Sequence, residues 1–411
     1  MCTSTRTPDR TRGFGLIELM VGVVVGMVTV LAIAQSFAAF EQQKRNTTGA
    51  ADAQDSGLTA LHFIETDARM AGYGFVSGAG LACTTINYYN STMAPTTQLG
   101  VQFMPVQIID GGAGPNSSDS IVINYSTSPA GAVPAGLLTS ASNSSQVLTV
   151  QGPAVNIYQP GDLLLVAQPG SGLPCARVQI AANNSITAVT GGVQITPGAY
   201  TASPALSPPN GTNIFPATFG AAPQAYVFDL GQQSSNLFSV NCTSLTLFNL
   251  VNGAVPAAPC ASQSNFAAGV IPVAGGIVQI QAQYGVAQAN TESVSCWVSA
   301  VNAAADPACP IGVGSWATPT PANVAQIKAI RIAVVARSSD IEGQPEFLSK
   351  GPYTQPCTSS TGNVNKGPCA WPDAPGSPAP VIDLSGDPNW QRYRYKVYDT
   401  IIPIRNVLWN L

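Results

Sequence analysis

Arg12-Gly13-Phe14-Gly15-Leu16-Ile17-Glu18-Leu19-Met20-Val21 opens the apolar part of this chain, and Glu18 is the only charge between Arg12 and Glu41. From Leu19 to Phe40 run 22 residues with neither a charge nor a proline. As a helix they rise about 33 Å, enough to cross the hydrocarbon of a bilayer. Before them Arg6, Arg10 and Arg12 outweigh Asp9. That excess predicts that residues 1–13 stay in the cytoplasm while the bulk of the chain passes outward, as a one-pass protein.

A carboxylate within the bilayer costs about 2.5–3.5 kcal/mol on insertion scales, so Glu18 needs either the interface or a partner. A cut after Gly13 would supply the partner, because the new α-amino cation of Phe14 lies one helical turn away, on the same helix or on a neighbour's. The stretch from Arg12 to Val21 resembles the class III signal of type IV prepilins. The resemblance implies that a prepilin peptidase cuts after Gly13, that Phe14 becomes the N-methylated terminus, and that Glu18 neutralises a neighbouring subunit's amine during assembly. A second reading is an ordinary secretory signal, cut after Ala34 in Ala32-Ile33-Ala34 and releasing a soluble module that starts at Gln35. Against it, the apolar run exceeds the roughly 7–15 residues of such a core, and Glu18 is out of place inside one.

No proline occurs from Phe14 to Met93, and good helix formers continue to Met70. The spacing predicts one helix over 14–74, membrane-spanning over about 14–40. Its outer half carries an apolar stripe at Leu58, Leu61, Ile64, Ala68 and Ala71 for packing on a head. Glu41 with Arg45 and Glu65 with Arg69 stand in the favourable i,i+4 order. Gly22 and Gly26 form a small-xxx-small pair that admits a second helix in lipid, Gly49 and Gly57 loosen the middle, and Gly72-Tyr73-Gly74 stops the helix.

The chain has 16 basic and 20 acidic side chains, net −4, with no basic cluster, which argues against nucleic-acid binding. Charged residues are only 9% of it, against 39 glycines and 33 prolines, the composition of a loop-rich secreted β domain. Beyond the membrane segment stand eight cysteines: Cys83, Cys175, Cys242, Cys260, Cys296, Cys309, Cys357 and Cys369. An even count on an oxidising face points to disulfides, and eight allow on the order of a hundred pairings. Local closure would pair Cys242 with Cys260, Cys296 with Cys309, Cys357 with Cys369 and, by remainder, Cys83 with Cys175. No histidine or CxxC spacing supports a metal site.

Beyond residue 74 short β-rich runs alternate with turn clusters: 120–125, 146–150, 162–167, 176–180, 185–189, 224–230, 244–250, 276–286, 327–336 and 395–404. The alternation Gln279-Ile280-Gln281-Ala282-Gln283-Tyr284 predicts one buried face and one wet face. The fold class expected is α+β: a long N-terminal helix packed on a disulfide-containing, mainly antiparallel β head over 75–411. The head exceeds the usual size of a single core, and 202–218 is a candidate divide between two lobes.

Five stretches extend the resemblance to the PilW-like minor pilins of type IV pilus assembly: Asp67 to Gly74, Gly161 to Val166, Val278 to Val286, Ile327 to Ser338 and Tyr398 to Asn406. Residues 85–155 and 190–225 carry none of it, and Ala287 stands where such proteins tend to have an acid. Arg331 and Arg337, in an apolar strand, are expected to reach water or pair with acids; Arg405-Asn406 is expected to close the last strand by hydrogen bonds.

No catalytic constellation is visible. His62, the single histidine, sits in the long helix without a nucleophile or ligand motif. Gly72 to Gly78 does not fit a phosphate loop. The acidic loops Asp110–Asp119 and Asp383–Asp387 lack EF-hand spacing and read as turns rather than calcium sites. No cofactor is expected. The resemblance implies a minor pilin, not an enzyme, that starts in the inner membrane with a periplasmic head and ends in the fibre or its tip, supporting twitching and adhesion. Its partners would be other major and minor pilins, the prepilin peptidase, the inner-membrane assembly platform and the membrane itself. A type II secretion pseudopilin shares the leader and helix and remains the nearest alternative.

Overall fold

The computed structural model describes residues 15–408 apart from 78–79, 113, 130–132, 153–155, 210–211, 290, 304–306 and 342–364. It comprises two units, Met1–Ala51 and Asp52–Leu411. One helix, Leu16–Met70, runs for 55 residues. In the first unit its stretch Leu16–Glu41 has a mean hydropathy of 2.6 and none of its residues is buried. The hydroxyls there are satisfied within the helix: Thr29 donates to the Val25 carbonyl (2.8 Å) and Ser36 to that of Ala32 (3.0 Å). Such back-bonding removes the cost of a polar group in hydrocarbon.

In the second unit the helix buries Ala53, Gly57, Ala60, Ile64 and Ala68, with Ala71 just past its end. The seam therefore differs from the expected one at its start, since Leu58 is 48% exposed. Small residues take its place because the backbone approaches the sheet closely. A Cβ on Gly57 would overlap the ring of Tyr398, so Gly57 is a contact position and not a point of looseness. The helix ends at Met70 with Gly72 and Gly74 both at positive φ (82° and 89°), the left-handed turns that glycine supplies without strain.

That seam packs on a four-stranded antiparallel sheet, in the order Cys296–Val298, Ile277–Val286, Ile327–Arg337, Tyr395–Pro403. A five-stranded sheet, Ile271–Gly275, Ser244–Asn249, Ser234–Asn241, Ser120–Tyr125 and Val106–Ile109, shares its core, with Ile121, Ile123 and Phe238 joining Ile64, Ile280, Tyr284 and Ile332. Apart from these, a six-stranded sheet contains the parallel pair Thr85–Tyr89 and Cys175–Gln179. Its strand Leu163–Ala167 is buried on both faces, Leu164 and Val166 in one core and Leu163 and Leu165 in another. This strand pairs with Tyr226–Gly231, so strands on either side of 202–218 share one sheet.

The strand Ile277–Val286 departs from the alternating pattern, for both of its faces are buried. Segment 365–395 covers the second face, where Trp371, Ile382 and Leu384 pack on Ala333 and Val335. Gln279, Gln281 and Gln283 thus lie inside and make hydrogen bonds there: Gln279 and Gln281 donate to the Ser117 carbonyl and Gln283 to that of Pro378. Disulfides join Cys83 to Cys175, Cys242 to Cys260 and Cys296 to Cys309, the pairs given by closing each cysteine on its neighbour in sequence. Cys369 is disulfide-bonded as well, while Cys357 lies outside the described residues.

Candidate functional site

Gly13 and Phe14 lie outside the described residues. Glu18 occupies the first turn of the long helix, and its Oε2 accepts a hydrogen bond from the backbone N–H of Gly15 at 3.2 Å. The carboxylate therefore turns back toward the helix start, where unpaired N–H groups and the positive end of the helix dipole favour an anion. One residue before Gly15, Phe14 is adjacent to this position in sequence.

The helix beyond Glu18 is an unsatisfied apolar surface. Leu16, Ile17, Leu19, Met20, Val24, Met27, Val28 and Leu31 are all more than half exposed. A Cβ at Gly22 or Gly26 would meet nothing within 4 Å, so the small-residue face stays open. In water such a surface would be a large penalty; in lipid it is neutral, and close approach of a second helix gives dispersion and weak hydrogen bonds.

In the second unit polar contacts also fix the outer helix on the β domain. Asp67 accepts from the Tyr125 hydroxyl (3.2 Å) and from the Asn236 amide (2.6 Å). Burial pushes its carboxyl above the usual range, and those two donors pull it back in part. Asn406 donates to the carbonyls of Ala71 (3.0 Å) and Met70 (3.3 Å), the latter also accepting from Tyr73 N–H, and so adds to the cap at the helix end. The expectation that Arg405-Asn406 closes a strand thus gives way, for Asn406, to a helix cap. Asp67 and Asn406 both belong to the PilW-like stretches, but nothing in their sequence spacing indicates that they converge on one helix.

Arg331 also departs from expectation. It is buried, with its guanidinium 3.8 Å from the ring centre of Trp371 and 4.7 Å from that of Trp297. It donates to Gln283 Oε1 (2.7 Å) and Ser377 Oγ (3.0 Å), so aromatic faces and neutral oxygens replace the expected water or acid. The covering segment 365–395 supplies Trp371 and Ser377, which is why the strand alone suggests exposure. Arg337 does pair with an acid, Asp387, at 2.8 Å, and lies over the Tyr393 ring.

The acidic loops serve as turns and ties. Asp110 Oδ1 accepts from Gly112 N–H (2.6 Å) and Asp383 Oδ1 from Ser385 N–H (2.9 Å), while Asp119 spans from Gly111 N–H (3.0 Å) to Ala282 N–H (2.7 Å). Among the described residues no three His, Cys, Asp or Glu groups gather as a metal site. His62 is exposed, with only the Phe63 ring edge-on at 6.1 Å. Ala287 is fully buried, its N–H bonded to the Gln326 carbonyl.

An N-terminal apolar helix with an acid in its first turn, joined to a disulfide-bonded and mostly antiparallel β domain, fits a membrane-anchored protein of the pilin class. Residues 249–406 match the family model of type IV pilus-assembly protein W, and residues 8–34 match that of the prokaryotic N-terminal methylation motif. Together the two matches support a PilW-like type IV pilin. No curated protein and no solved structure matches the chain.

Proposed function

We propose that this chain is a minor pilin that takes part in assembling the type IV pilus. It enters the inner membrane as a one-pass precursor with a periplasmic head and is cut by the prepilin peptidase between Gly13 and Phe14. Phe14 is then N-methylated. The apolar helix next leaves the inner-membrane assembly platform for the bundle of major and minor pilin helices, at the fibre or its tip. Twitching and adhesion would follow from pili so initiated, and the head acts by contact, without catalysis.

The observation that supports this most is the open helix surface from Leu16 to Phe40 with its single acid at Glu18. Such a surface needs lipid or other helices, and an acid there needs a cation, which a neighbouring subunit's terminal amine provides. Mass spectrometry of the protein isolated from cells tests the reading. A terminus at N-methylated Phe14 supports it; a terminus at Gln35 would mean a released module and would overturn it.

A type II secretion pseudopilin has the same leader and helix. The match to the pilus-assembly family over residues 249–406 favours the pilus. Co-isolation with pilus rather than secretion components separates the two.

A further inference from the structure

Three loops converge on a cleft of about 450 Å³ in the head, remote in sequence from the pilin helix. It is lined by residues 127–129, 156, 157, 159, 162, 231 and 232. Two of its walls are tied together before any ligand arrives. Asp229 accepts from the Ser128 hydroxyl (2.6 Å) and from Gly231 N–H (3.0 Å), Thr127 N–H donates to the Leu230 carbonyl (3.1 Å), and Gln232 N–H donates to Thr127 Oγ1 (2.9 Å). Gly231 is required there: its φ is +58°, and a Cβ would stand 2.8 Å from Ser128 N. The third wall is a turn in which Asp162 Oδ2 accepts from Gln159 N–H (2.8 Å) and Gln159 Nε2 donates to the Asn156 carbonyl (3.2 Å).

The lining chemistry narrows the ligand. Thr127, Ser128, Asn156, Gln159 and Gln232 bring hydroxyls and amides, and Asp162, only 8% exposed, brings the one carboxylate. Among the described residues no Lys, Arg or His lines the cleft, so a phosphate, sulfate or acidic ligand would find no counter-charge from them. An apolar ligand would leave the side-chain amide of Asn156 and the Gln159 Oε1 without water, the other lining groups being bonded within the walls. A bare amine would satisfy Asp162 and leave the amide N–H groups facing a cation. What fits is an uncharged molecule whose every polar group both donates and accepts, with some C–H surface for Ile157 and Pro129. The volume falls within the range of about 300–1,000 Å³ usual for small-molecule sites.

We propose that this cleft binds a neutral saccharide, one or two sugar rings in size, with Asp162 and the amides of Asn156 and Gln232 holding its hydroxyls. The proposal stands apart from the assembly role and does not rest on it. Burial, with the nearby negative charge of Asp229, lifts the Asp162 carboxyl to about 6, against the Gln159 and Gln232 hydrogen bonds that lower it. The group is thus mainly an acceptor at neutral pH and becomes a donor in mild acid.

The test uses the full processed chain in phospholipid nanodiscs, free of sugar-headed detergent, and saturation-transfer NMR with glucose, galactose, mannose, N-acetylglucosamine and, separately, putrescine. The expected result is transfer to at least one sugar. Asn156→Ala and Gln232→Ala, both at exposed positions, should each weaken its binding about three- to ten-fold with unchanged thermal unfolding. The proposal is overturned if none of the four sugars receives saturation, if both variants bind as the parent does, or if putrescine binds and no sugar does.

Discussion

Gly57 and Tyr398 meet where the outer part of the long helix crosses the last strand of the sheet, and no methyl group fits between them. Ala336 stands behind the same point, 3.3 Å from where a Cβ would sit. In an open helix Gly→Ala gains about 1 kcal/mol. At Gly57 the sign should reverse, with Gly57→Ala costing about 1–3 kcal/mol through overpacking. Urea unfolding of Gly57→Ala, Tyr398→Ala and the double variant measures it. Full additivity, or a more stable Gly57→Ala, would refute the close contact.

Arg331 should behave as a clamp on the covering segment. Losing two aromatic faces and two hydrogen bonds predicts a cost of about 2–4 kcal/mol for Arg331→Ala. Arg331→Lys should recover less than half, because an ammonium cannot stack flat between Trp371 and Trp297 or fork to Gln283 and Ser377. Tryptophan fluorescence during urea titration reports both. Equal stability of the Lys variant and the parent would show that charge alone suffices.

Stability should rise in mild acid. Burial, aided by the charge of Asp110, lifts the Asp119 carboxyl from 3.8 to about 7 despite its bonds from Gly111 and Ala282, and burial lifts Asp162 to about 6. A carboxyl raised on folding contributes stability that is complete below the unfolded value and is lost as pH climbs through the folded one. The melting temperature is therefore expected to fall between about pH 4 and 7, from the unfolded value toward the higher folded one. Asp119→Asn should flatten the part near 7 and leave the step near 6. A melting temperature that increases over that range would contradict the assignment.

Much of this fold was readable in advance, and the gaps have physical causes. Long apolar runs such as Ile327–Arg337 announce strands because their β-branched residues fit a buried sheet. The strand Ser234–Asn241 did not announce itself, since its polar SSNLFSVN sequence gains its place from the hairpin to Ser244–Asn249. That hairpin turns at Cys242 and Thr243, both at positive φ, where sequence rules look for Asn-Gly. Burial of the three glutamines was equally hidden, because it depends on a segment some hundred residues later. At the helix start the acid and its spacing were legible from local sequence alone; the cleft at Asp162 was not, as its walls come from three distant loops.

Glu18→Ala should insert normally and accumulate to parental levels, since removing a charge eases entry into lipid. Its recovery with other pilins from sheared fibres should fall by roughly ten-fold or more, as a neighbour's amine is left without its counter-charge. Quantitative immunoblots of membranes and fibres read the two separately. Undiminished recovery in fibres would sink the pairing.

The bridge between Cys83 and Cys175 closes a separation of 92 residues, and it should matter most among the three described pairs by loop length. Replacing both cysteines by serine predicts a loss of about 2–5 kcal/mol, against less for Cys296 with Cys309. Denaturant midpoints of the two double variants, compared under oxidising conditions, decide the order.

Asn406 reaches back 336 residues to finish the helix that Met70 ends. The seam from Ala53 to Ala71 shares its core with Val106, Ile121 and Ile280 from earlier strands, and only its last partners, Tyr398 and Ile402, come from the end of the chain. The final strand and its asparagine thus close the fold from its far end: a chain cut before Tyr395 would keep the helix but lose one edge of the sheet on which it packs and the side chain that meets its last turn.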